Sequence, residues 1–139
     1  MTQEEKEVLL QDLCMRLPYG VMLYCKMNGN DFTKMKLTSI NFGCSAINGI
    51  YKVENVRPYL LPLASMTDDE RTLFRKKGGV IGYNPEHDTW AVASLTHEAI
   101  YWLFENMFDI NGLIPMGLAV DVTNKKDLRN FNYDGYKKR

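Results

Sequence analysis

The sequence predicts an α+β fold: a curled antiparallel sheet or small SH3-like barrel, with an N-terminal helix and a C-terminal closing helix. Three observations carry this. Apolar residues recur at helical spacing near both ends, they alternate with polar ones from Val21 onward, and Asn-Gly or Pro/Gly clusters separate the runs. At 139 residues, with 45% hydrophobic and 24% charged side chains, the chain suits one domain with its own core. Residues 1–122 are assigned to that domain, and 123–139 to a basic, partly mobile tail.

The first helix begins at Thr2, which forms a capping box with Glu5, and Val8, Leu9, Leu13 and Leu17 share one face. Pro18-Tyr19-Gly20 stops it. From Val21 the period is two, with Leu23 and Cys25 on one side and Tyr24 and Lys26 on the other. Asn28 to Asp31 is a turn, and a second strand runs from Phe32 to about Phe42; its alternation slips near Ser39, through a bulge or burial of the second face there. Asn48-Gly49 suits a type I′ hairpin turn, and the return strand passes through Tyr51, Val53 and Val56. Arg57 to Leu63, pinned by Pro58 and Pro62, is expected to leave the sheet as an extended segment.

Thr67 with Glu70 makes a second capping box and opens a short helix that Gly78-Gly79 ends. Val80–Tyr83 and Trp90–Ala93 fit a small hairpin. Ser94 or Thr96 caps the last helix, over about 95–108, with Ile100, Leu103 and Met107 as its core stripe and an Asn-Gly stop at Asn111-Gly112.

Seventeen basic and seventeen acidic residues cancel, which excludes a polyanion binder held by its overall field. The charge is polarised along the chain, because acids dominate residues 1–12 and bases dominate 123–139. Cys14, Cys25 and Cys44 are odd in number, lack C-x-x-C spacing and sit among apolar residues. Buried free thiols in a reducing cytoplasm, that of a bacterial host cell, are expected. The N-terminus lacks the pattern of a secretory signal, and no apolar run approaches the ~18 residues of a membrane span.

Three segments together carry a resemblance: Asp12 to Val21 (DLCMRLPYGV), Arg57 to Thr67 (RPYLLPLASMT), and Trp102 to Ala119 with its WLFENMFD and GLIPMGLA phrases. In this order the chain resembles a family of small proteins of gut anaerobic bacteria and their phages that has no established activity. The resemblance implies a phage or mobile-element origin and transfers no functional residue. This chain departs from it at Tyr83 to Ala93, where many relatives have another connection.

Metal chemistry needs three or four converging ligands. His87-Asp88 and His97-Glu98, with Asp109, are the only His/acid groupings, and neighbours on a helix point ~100° apart. No metal and no cofactor is expected. Ser94 lacks a nucleophile-elbow setting, and Gly78-Gly79 follow a helix where a phosphate loop would precede one. The chain is therefore not expected to be an enzyme.

Arg71 and Arg75 lie four apart, so both guanidinium groups share a helix face, with Lys76 beside them and Arg57-Pro58-Tyr59 shortly before. Guanidinium forks suit phosphate oxygens, while Tyr59, Tyr83, Trp90 or Tyr101 offers a ring to stack a base. The plainer alternatives are a solvated helix face that complements the helix dipole and aromatic residues that fill the core, Trp102 above all.

The function expected is a non-enzymatic binding protein that sequesters a small anionic nucleotide-like immune signal. Arg57, Arg71, Arg75 and Lys76 grip phosphate, and Tyr59, Tyr83 or Trp90 stacks the base, in a pocket completed across a homo-oligomer through residues 83–93. One alternative is an adaptor that binds a host defence protein through an aromatic and acidic face. The other is a nucleic-acid accessory protein using Lys125, Lys126, Arg129 and the terminal Lys137-Lys138-Arg139, with Phe131, Tyr133 and Tyr136 stacking.

Overall fold

The computed structural model describes residues 1–26, 32–87 and 89–123. Helix α1 (Gln3–Arg16) starts at the predicted box: the Glu5 amide donates to Thr2 Oγ1 (3.1 Å) and the Thr2 amide to Glu5 Oε1 (2.8 Å). A short 3₁₀ turn over Leu17–Tyr19 then ends at Gly20, whose φ of 70° is left-handed and suits glycine. Leu9 and Leu13 are buried as the stripe predicts. The same face also buries Asp12 and Arg16, which residue type alone does not suggest.

Strands β1 (Met22–Lys26) and β2 (Phe32–Lys36) pair antiparallel, Leu23 opposite Met35. The other edge of β1 takes a strand at Val56–Leu60, Leu23 opposite Pro58. Arg57 to Leu60 thus lies inside the sheet it was expected to leave. Pro58, Tyr59 and Leu60 are all buried, and a strand buried on both faces shows no alternation for periodicity to detect.

The second strand is also shorter than expected. At Lys36 the chain turns a corner and enters a separate three-stranded sheet, β3 (Ile40–Asn41), β4 (Ala46–Ile47) and β5 (Tyr51–Lys52). Asn48 holds that corner. Its Oδ1 accepts from the Thr38 amide (2.7 Å) and the Ser39 amide (3.2 Å), and its Nδ2 donates to the Lys36 carbonyl (2.8 Å). The slip at Ser39 therefore marks a change of sheet instead of a bulge. Asn48 and Gly49 have φ of 52° and 87°, as a type I′ turn requires.

The Val56–Leu60 strand, β6, follows a 3₁₀ turn at Val53–Asn55. A last strand at Val120–Asp121 adds to β6 in parallel, so the larger sheet is mixed. The architecture is α+β with several antiparallel pairings, and the described strands do not close into a barrel.

Helix α2 (Asp68–Lys76) opens on the Thr67/Glu70 box and is followed by Gly78 at φ 96°. Strands β7 (Val80–Asn84) and β8 (Thr89–Ser94) form the predicted hairpin as a two-stranded sheet of their own. Helix α3 (His97–Glu105) is capped by Thr96, which accepts from the Ala99 amide (3.1 Å) and donates to the Lys77 carbonyl, tying its start to the end of α2. It ends before the expected Asn-Gly stop. Met107 is left-handed (φ 66°), and the Phe108 amide reaches the Leu103 carbonyl (3.0 Å) in a Schellman-type close. Pairing explains the early exit: Leu61 donates to the Met107 carbonyl (2.8 Å), and Asp109 donates to that of Leu61 (2.9 Å). The strand Val120–Asp121, β9, completes the chain order.

Trp102, Leu103, Phe74 and Phe108 lie in the core with Leu23, Leu60 and Val122. Among the described residues, no helix is long and apolar enough to cross a membrane. One cysteine departs from expectation. Cys25 is buried and Cys14 half-buried, but Cys44 is exposed, in the turn between β3 and β4. Burial pushes the Cys25 thiol up to about 11 and raises that of Cys14, which starves both of reactive thiolate. Native protein treated with an aromatic disulfide reagent should release one equivalent of chromophore quickly, from Cys44. Guanidinium should release the remainder, and a fast second equivalent would contradict this burial.

Candidate anion-binding site

The capping box fixes where α2 begins, and four residues of helix then set Arg71 and Arg75 one turn apart on one face. Both line a cavity of about 250 Å³ whose other walls are Phe74, Gly79, Val80, Ile81 and Trp90. The β7–β8 hairpin supplies the aromatic wall. Tyr83 sits directly opposite Trp90, so both side chains emerge on one face, with ring centroids 4.9 Å apart.

The Arg71 guanidinium carbon lies 4.6 Å from the Trp90 ring centroid, a cation–π distance. Trp90 thereby orients Arg71 as well as walling the cavity. Arg71 Nε is buried and has no hydrogen-bond acceptor among the described residues. Such a desolvated donor costs about 1–3 kcal/mol for as long as no acceptor meets it. Neither Arg71 nor Arg75 forms an ion pair within the described residues. Guanidinium forks suit oxyanions and an indole face suits a planar group, so the arrangement combines both kinds of chemistry.

No protein-family model, no curated protein and no solved structure matches this chain. The site rests on its own geometry.

A second cavity, of about 460 Å³, shares Trp90 as a wall. Its lining is mostly apolar and includes Pro62, Ala64, Ala91, Ile114 and Pro115. Asp109 builds its rim by accepting from the Leu113 and Ile114 amides (2.9 Å each). Beneath that rim lies the buried pair. Arg16 Nε donates to Asp12 Oδ2 (2.6 Å), Arg16 Nη2 to the Phe108 carbonyl (2.8 Å), and Asn111 Nδ2 to Asp12 Oδ1 (2.8 Å). The α1 residues thus fix segment 108–111.

Of the residues read from the sequence, Arg71, Arg75 and Trp90 converge, with Tyr83 against Trp90 and 47% exposed. Arg57 does not join them. Its Nε donates to the Gly117 carbonyl (3.1 Å) and its Nη1 to those of Glu54 (3.1 Å) and Val56 (2.8 Å), and burial lowers its pKa. Tyr59 is buried, its ring edge-on to Tyr24, and desolvation raises its phenol pKa. Lys76 is exposed at the end of α2 and lines neither cavity. His87 is exposed in the hairpin turn and His97 in the first turn of α3, while both Asp109 oxygens serve backbone amides. Among the described residues no three His, Cys, Asp or Glu side chains gather as for a metal ion. Asp88 and the tail bases from Lys125 onward lie outside the described residues.

Sequence reading missed the second cavity and the Asp12–Arg16 pair. The pair had a signal: an acid and a base four apart, flanking Leu13 on the apolar stripe of α1. Gly79 has a defined role too, since a Cβ there would run into the Phe74 ring under the cavity. Gly79→Ala should cost about 1–3 kcal/mol through overpacking, read as a lowered denaturant midpoint. An unchanged midpoint would mean that Phe74 does not floor the site.

Proposed function

We propose that this protein captures a small anionic, nucleotide-like ligand in the Arg71/Arg75 cavity and holds it without chemical change. The observation that carries the reading is the pair of arginines without carboxylate partners among the described residues, one with a buried unsatisfied Nε, beside Trp90. In keeping with the family resemblance, the biological role is that of a sponge of phage or mobile-element origin. It acts in the cytoplasm of a bacterial host and lowers the free concentration of an immune signal. Tyr83 and Val80, both about half exposed on the hairpin, suit contact with a second copy that completes the pocket.

A thermal-shift panel of cyclic dinucleotides, NAD and ADP-ribose tests this. A ligand at 100 times its Kd adds about 2.7 kcal/mol of stability, which raises the melting temperature by several degrees. No shift with any member would contradict the reading. One observation favours a second: Tyr101, 52% exposed, has Tyr19 and His97 rings at 6.5 and 6.4 Å, and Glu98 is exposed on the same helix. That surface suits an adaptor for a host defence protein. Capture of a defined defence protein, lost with Tyr101→Ala, would support it.

A further inference from the structure

The second cavity deepens this reading and rests on it. Among the described residues strand β8 pairs only with β7, so its other edge is unpaired within its two-stranded sheet. In an antiparallel pair, successive residues alternate between bonding their partner and pointing both N–H and C=O away. Trp90 and Ala91 are successive, and both line the 460 Å³ cavity. One of the two must therefore present a donor and an acceptor side by side on the open edge. Pro62, Ala64, Ile114 and Pro115 are apolar walls, while Asp109 and Asn111 add polar groups that already have partners. The Asp109 carboxylate accepts from the Leu113 and Ile114 amides, and Asn111 Nδ2 donates to Asp12. Trp90 is a wall of this cavity and of the arginine cavity, which places the two side by side.

We infer that the Trp90 groove is a nucleobase slot and that the ligand is a nucleoside phosphate. Its base lies flat between the apolar walls and pairs its amide or amidine edge with the β8 backbone. Its phosphates extend past Trp90 to Arg71 and Arg75. The adjacent donor and acceptor of one peptide residue match the neighbouring polar groups on a base edge. The two guanidinium groups match the phosphate, which an apolar peptide in the same groove would leave unused.

Titration calorimetry with ADP, GDP, CDP, UDP and inorganic pyrophosphate tests the assignment on the full chain, with Ala64→Phe and Pro115→Phe as groove-filling variants. Both positions are exposed, so larger side chains there are tolerated by the fold. At least one nucleoside diphosphate should bind about tenfold or more tightly than pyrophosphate, and each filling variant should remove that advantage while leaving pyrophosphate affinity within about twofold. Nucleotide affinity equal to that of pyrophosphate, or unaffected by both variants, would overturn the slot and leave anion capture standing. Failure of pyrophosphate and every nucleotide to bind would overturn both readings.

Discussion

Asp12→Ala should lower folding stability by about 3–5 kcal/mol. Asp12 and Arg16 are both fully buried, and the carboxylate is the only anion that neutralises Arg16 among the described residues. Removing it strands a guanidinium whose Nη1 already lacks a partner there. The Phe104 ring, 5.0 Å from the Arg16 guanidinium carbon, softens the loss only slightly. Replacing both partners, as Asp12→Leu with Arg16→Met, should recover much of the loss, because desolvating a buried pair nearly cancels its attraction. Urea unfolding of the two single variants and the double variant measures this. A loss under about 1 kcal/mol for Asp12→Ala would refute the burial.

Arg71→Ala and Arg75→Ala should each weaken nucleotide binding by about tenfold to a hundredfold, the range for a lost charge-assisted hydrogen bond. Stability should change by no more than about 1 kcal/mol, since α2 keeps its capping box and Phe74 keeps its place in the core. Arg71→Lys should not restore affinity, because an ammonium has neither the planar fork nor the face that lies over Trp90. Calorimetry on the three variants checks this. Full affinity in the lysine variant would reduce Arg71 to a mere positive charge.

Local signals were read where the physics is local. Both capping boxes, the Asn48-Gly49 turn and the β7–β8 hairpin follow from residues within a few positions of one another. What escaped depended on distant partners. Arg57 looks like a phosphate fork in sequence, yet its donors hold the carbonyls of Glu54, Val56 and Gly117, the last 60 residues away. The segment Arg57 to Leu60 looks like an exit from the sheet because burial on both faces erases its alternation. Asp109, grouped in sequence with the two histidines, folds the loop that follows it. For the site, the helix spacing of Arg71 and Arg75 was legible, and so was the aromatic hairpin. That the two meet across Gly79, and that Trp90 also walls a second cavity, depends on tertiary geometry.

The chain has two tryptophans, Trp90 in the site and Trp102 buried near Phe74 and Phe108, so indole fluorescence isolates the event at issue. Nucleotide titration should give a saturable emission change that disappears in Trp90→Phe and in Arg71→Ala/Arg75→Ala. A flat titration for every nucleotide, or a change that survives in Trp90→Phe, would contradict capture at this site.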